Sequence, residues 1–125
     1  MRILVVDDYS TMRRITRGFL REFGLNDVEE AADGADALRK LRTGPFNLVI
    51  SDWDMGTMSG LDLLKEVRAD ENLKKLPFIM VTAEARAANV VAAKQAGVSN
   101  YILKPFNAAT LKEKIEAVVG VLPAR

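Results

Sequence analysis

Ile3-Leu4-Val5-Val6-Asp7-Asp8-Tyr9-Ser10-Thr11-Met12-Arg13-Arg14 changes character at its middle: an apolar run stops in two carboxylates, and helical spacing takes over from Thr11. A short, mostly β-branched run suits a strand buried on both faces. The same sequence of signals repeats along the chain. Further short runs stand at Val28 to Ala31, Leu48-Val49-Ile50, Phe78 to Val81 and Tyr101-Ile102-Leu103. Helical spacing marks Thr11 to Phe23, Ala35 to Leu41, Leu61 to Arg68, Ala87 to Ala96 and Ala108 to Val119. Five strands, each followed by a helix, predict a doubly wound α/β fold, because parallel strands need right-handed crossovers and the helices then cover both faces. The first, third and fourth strands read as central. Val28-Glu29-Glu30-Ala31 carries charge and reads as an edge. Gly24, Gly44 and Gly97 follow helical segments where a left-handed cap favours glycine.

The chain has 125 residues with no low-complexity tract, which predicts one domain over 1–125 without a linker. Its 18 basic and 17 acidic residues leave a formal charge of +1, too even to announce a nucleic acid or an anionic membrane as partner. No signal-peptide core or membrane-length apolar run is present, so a cytoplasmic location is expected. Cysteine and histidine are absent, which removes disulfides, thiol nucleophiles and the commonest general base and metal ligand. Carboxylate, hydroxyl and lysine chemistry remain, and hard oxygen donors suit Mg²⁺ or Ca²⁺.

In a doubly wound sheet, ligands gather beyond the carboxyl ends of the strands. The first strand ends in Asp7-Asp8, the third in Asp52, the fourth in Thr82 and the fifth in Lys104-Pro105. Converging carboxylates raise one another's proton affinity unless a cation neutralises them, which Mg²⁺ would do. An aspartate held beside the cation can attack a phosphoryl group, with Thr82 and Lys104 as donors to its oxygens. Each residue also has an ordinary reading: Asp7 and Asp8 as helix caps, Asp52 as a loop carboxylate, Thr82 as a cap and Lys104 as a solvated lysine. What those readings leave unexplained is the gathering of all these groups at strand ends.

Asp7-Asp8, Asp52, Thr82-Ala83 and Lys104-Pro105, in this order, resemble the receiver domains of bacterial two-component systems. Asp7 through Arg14, Ser51-Asp52-Trp53, Val81 through Ala85 and Tyr101 through Phe106 bring the resemblance closest to the chemotaxis regulators, over essentially the whole chain. It implies a flavodoxin-like sheet of order 2-1-3-4-5. It makes Asp52 the phosphoryl acceptor and Asp8 a direct Mg²⁺ ligand beside Asp52. Asp7 acts mainly through water, and the backbone carbonyl of Asp54 is the further ligand. Thr82 and Lys104 bind the phosphoryl oxygens, Tyr101 is a rotamer switch, and Lys104-Pro105 is a cis peptide. The implied protein is a monomeric phosphoacceptor switch rather than an enzyme, one that promotes its own phosphorylation and dephosphorylation. The donor is a chemotaxis-type sensor histidine kinase, the reader is the flagellar motor switch, and a phosphatase is a further partner. With no output domain in the sequence, the signal leaves through a surface that includes Val90, Tyr101 and Lys114.

Asp54 stands where Asn is usual among these regulators, Gly56 where Pro is usual and Ser59 where Asp is common. Asp54 and Glu84 flank the expected route of hydrolytic water. Arg13, Arg14, Arg17 and Arg21 read as a solvated helix face, and Met12, Met55 and Met58 as packing. A phosphate sink or a non-motor phosphorelay shuttle is the alternative within the family. A haloacid-dehalogenase-like phosphatase fits Asp52-Trp53-Asp54 but not Gly56, where that family wants Thr or Val. No glycine-rich nucleotide-binding loop occurs.

Overall fold

All five apolar runs form strands, and they pair in the order β2-β1-β3-β4-β5, every pair parallel. The computed structural model describes residues 1–83 and 86–122. Its elements are β1 (Ile3–Val6), α1 (Ser10–Glu22), β2 (Val28–Ala31), α2 (Gly34–Thr43), β3 (Leu48–Asp52), α3 (Gly60–Ala69), β4 (Phe78–Thr82), α4 (Ala87–Gln95), β5 (Asn100–Leu103) and α5 (Ala108–Val119). The expected central strands are central, and β2, with half-buried Glu29 and Glu30, is an edge.

Side chains alternate across a strand, so the sheet divides the apolar residues into two layers. Leu4, Val6, Val49, Phe78 and Met80 face α2 and α3, packing with Leu38, Leu41, Leu63, Leu64 and Val67. Ile3, Val5, Leu48, Ile50, Ile79 and Val81 face the other way, packing with Leu20 of α1 and Leu111 and Ile115 of α5. Each fully buried Leu or Ile contributes about 1.5–3 kcal/mol of burial free energy. Met55 is buried in the first layer, as its packing reading expected, and Met58 packs against the same layer.

Local chemistry sets the helix ends. Asp33, Ser59 and Asn107 cap α2, α3 and α5 by accepting hydrogen bonds from the amides of Asp36, Asp62 and Thr110. Gly24 and Gly97 adopt φ of 83° and 93°, as expected of helix-ending glycines, and Leu25 N donates to Leu20 O at 2.9 Å in the bond that closes such an end. Gly44 corrects the expectation: it is extended, with φ −146° and ψ 160°. The Thr43 hydroxyl donates back toward the carbonyls of Arg39 and Lys40, which gives the last turn of α2 a side-chain donor in place of a left-handed residue. The side chain of Arg68 joins three carbonyls, those of Gly97, Lys74 and Leu76, and so ties α3 to the approach to β4 and to the turn before β5. The Lys104-Pro105 peptide is cis, as expected.

Candidate functional site

The parallel register brings the site together. Val6 lies opposite Ser51, and one residue further along the strands Asp7 comes beside Asp52. On the other side of β3, Asp52 pairs with Val81, so Thr82 follows at the neighbouring strand end. Thr82 pairs in turn with Leu103, and the Lys104 amide donates to the Thr82 carbonyl at 2.8 Å. Asp52 and Thr82 are the last residues of their strands. Their backbones are therefore fixed by the sheet and not by a loop.

Carboxylate oxygens of Asp7, Asp8 and Asp52 lie within 4.8 Å of one another. Asp7 and Asp52 are buried and Asp8 is exposed, which leaves the cluster open to solvent on one side. Lys104 Nζ sits 3.0 Å from Asp52 Oδ1 and 3.6 Å from Asp7 Oδ2. Burial pushes the Asp52 carboxyl above its ordinary value; the Lys104 hydrogen bond opposes that, and the charges of Asp7 and Asp54 reinforce it. Burial would lower the Lys104 ammonium, but its contacts with Asp52 and Asp7 outweigh burial and raise it. One ammonium facing three carboxylates leaves an excess of negative charge in oxygen-only surroundings. That donor set fits a small, hard divalent cation, which typically takes one or two carboxylates and keeps several waters.

Thr82 is buried, with 1% exposure. Tyr101 is half-buried against the first apolar layer, its ring edge-on to Trp53 at 6.4 Å between centroids. Tyr101 and Lys114 line one surface hollow with Asn100, Leu103 and Thr110, whereas Val90 on α4 is not among its lining residues. Asp54 is exposed and near enough to act on Asp52. Glu84 lies outside the described residues. Gly56 has φ of 51°, a left-handed conformation that any other residue would adopt at a cost. A larger hollow of about 690 Å³ between Gly44, Phe46, Leu73 and Pro77 has no carboxylate in its lining and lies away from this chemistry.

Two readings made from the sequence change. Asp7 does not cap α1 through its side chain: the N-cap is Tyr9, whose amide donates to Asp7 Oδ1 at 2.9 Å. Arg13 and Arg17 are not simply solvated. Arg13 Nε donates to Glu30 Oε1 at 2.9 Å and Arg17 Nη1 to Glu30 Oε2 at 2.7 Å. The Arg13–Arg17 spacing of four was visible in the sequence, but their common partner sits on strand β2, which helical spacing does not reveal.

A parallel sheet with helices on both faces, three carboxylates at two adjacent strand ends and a lysine aimed between two of them define a receiver domain. Residues 3–116 match the family described as the response regulator receiver domain, and the chain belongs to that family. It is 55% identical over 118 residues to a chemotaxis protein, CheY-3 of Vibrio cholerae serotype O1, covering 94% of this chain and 91% of that protein. Among solved structures, the chemotaxis response regulator CheY4 of Vibrio cholerae superposes with a TM-score of 0.87 at 33% identity, covering 94% of this chain and 97% of that one. The receiver domain of a sensor histidine kinase from Pseudomonas aeruginosa PAO1, described with a magnesium ion coordinated in its active-site cleft, superposes with a TM-score of 0.86 at 29% identity, covering 95% of this chain and 97% of that one.

Proposed function

We propose that this chain is a phosphoacceptor switch for chemotaxis, with Asp52 as the acceptor. The observation that carries this reading is Lys104 Nζ lying 3.0 Å from Asp52 Oδ1 inside the cluster of three carboxylates. An Asp52 oxygen attacks the phosphorus of a phosphohistidine on a separate sensor histidine kinase. The new O–P bond makes an acyl phosphate, the P–N bond breaks, and the donor imidazole leaves with its electron pair and takes up a proton. Lys104 and Thr82 donate to the phosphoryl oxygens. Asp7, Asp8, Asp52 and the Asp54 backbone carbonyl would hold Mg²⁺, which when bound supplies positive charge that lets the carboxylates ionise together and offsets charge on the phosphoryl group. The magnesium described in the Pseudomonas aeruginosa receiver domain supports this assignment.

Thr82 moving toward the phosphoryl group would free space for the Tyr101 ring, altering the surface that includes Val90, Tyr101 and Lys114. The partners read from the chemotaxis relatives are a chemotaxis-type kinase, the flagellar motor switch and a phosphatase, with the protein acting as a monomer in the cytoplasm. No described helix is long and apolar enough to cross a membrane. Intact-mass analysis after treatment with acetyl phosphate, with and without Mg²⁺, tests the chemistry on wild type and Asp52→Asn. A Mg²⁺-dependent phosphoryl adduct that Asp52→Asn abolishes is expected. An adduct that survives the substitution would move the acceptor elsewhere.

A further inference from the structure

Arg13 reaches two places at once. While Nε engages Glu30 on β2, Nη1 donates to the backbone carbonyl of Asp7 at 2.6 Å. That carbonyl shares a rigid peptide plane with the amide of Asp8, so holding the oxygen also holds the start of Asp8. The hold matters because the Asp8 carboxylate is exposed and has no hydrogen-bond partner among the described residues. The part of Asp8 that the fold holds is therefore its backbone, from which the side chain starts. Glu30 is itself well anchored: Arg17 takes its second carboxylate oxygen, Lys40 donates to its carbonyl, and β2 is paired to β1 with Glu30 opposite Val5. The Arg13 side chain is only 17% exposed, so these bonds form largely out of water, where a fixed guanidinium fork keeps its geometry.

We propose that Arg13, braced by Glu30, is a positioning residue that sets the divalent-cation affinity of the acidic cluster by fixing the Asp7–Asp8 peptide. The inference rests on the proposed metal site. Its sign separates it from plain electrostatics. A guanidinium close to an acidic cluster repels a cation, so charge alone predicts that removing Arg13 tightens Mg²⁺ binding. Positioning predicts the reverse.

Mg²⁺ titration of the full chain, followed by calorimetry and by the fluorescence of Trp53 beside Asp52, is the test. Arg13→Ala is expected to weaken Mg²⁺ binding about tenfold. Arg13→Lys, which keeps the charge but loses the fork, should also weaken it. Arg17→Ala removes one anchor of Glu30 but leaves the Arg13 bond to Asp7 in place, and should weaken binding clearly less than Arg13→Ala does. Urea unfolding of each variant separates loss of binding from loss of fold. Unchanged or tighter binding in Arg13→Ala and Arg13→Lys would overturn the inference alone. A wild type that binds no Mg²⁺, or binds it as well after Asp52→Asn, would overturn the metal site and this inference together.

Discussion

Glu30 shows how far one residue's role can depart from its sequence context. It stands on a strand whose charge marked it as an edge, and it receives two guanidinium groups from α1. Burial alone would raise its carboxyl, but the hydrogen bonds and charges of Arg17 and Arg13 outweigh burial and hold it below the ordinary 4.5. A carboxyl lowered on folding contributes stability that is complete above its unfolded value and is lost as pH falls through the folded one. Wild type should therefore exceed Glu30→Gln by about 1 kcal/mol at neutral pH, after allowance for partial exposure. That margin should shrink as pH falls below 4.5, which urea midpoints at stepped pH would record. A margin constant with pH would mean the carboxylate charge is not what matters. By contrast, the gathering of Asp7, Asp8, Asp52, Thr82 and Lys104 at neighbouring strand ends was legible from the sequence because each lies within two residues of the end of an apolar run. Arg13 and Glu30 carry no such marker.

Elements were legible in type and less so at their ends. α1, α2 and α3 begin at Ser10, Gly34 and Gly60, each one residue before the expected start; α2 and α3 begin where Asp33 and Ser59 cap them, whereas the α1 N-cap, Tyr9, makes no side-chain cap bond. Ser59 illustrates the point. It accepts from the Asp62 amide at 3.1 Å while the Asp62 carboxylate accepts from the Ser59 amide at 3.2 Å, a reciprocal cap at the start of α3. Its difference from the Asp common in these regulators keeps a side-chain oxygen at the cap. Ser59→Ala should cost about 1 kcal/mol in urea unfolding, and Ser59→Asp should restore most of it. No change in Ser59→Ala would show that packing alone holds the helix start. Packing there is close: a Cβ at Gly60 would lie 2.3 Å from the Asp52 carbonyl oxygen, so α3 begins against the backbone of the proposed acceptor.

At the scale of the molecule, periodicity gave the alternation of strands and helices but not which strand lies beside which. Pairing joins residues far apart in the chain, and the order came from the family resemblance. Leu63 and Ile115, both fully buried, sit in different apolar layers. Truncating either to Ala should cost about 2–5 kcal/mol. The double variant should lose the sum of the two within about 0.5 kcal/mol, because among the described residues the two layers have no side chain in common. A larger departure in denaturant midpoints at constant slope would mean the strands transmit strain from one face to the other. The partition also bears on descent. A change on the α1 and α5 side meets only its own neighbours, so neutral drift can rewrite one half of the interior while the other keeps its inherited packing. The two halves of the interior can then be repacked by substitution one at a time, while Asp7, Asp52, Thr82 and Lys104 stay at the strand ends that both halves share.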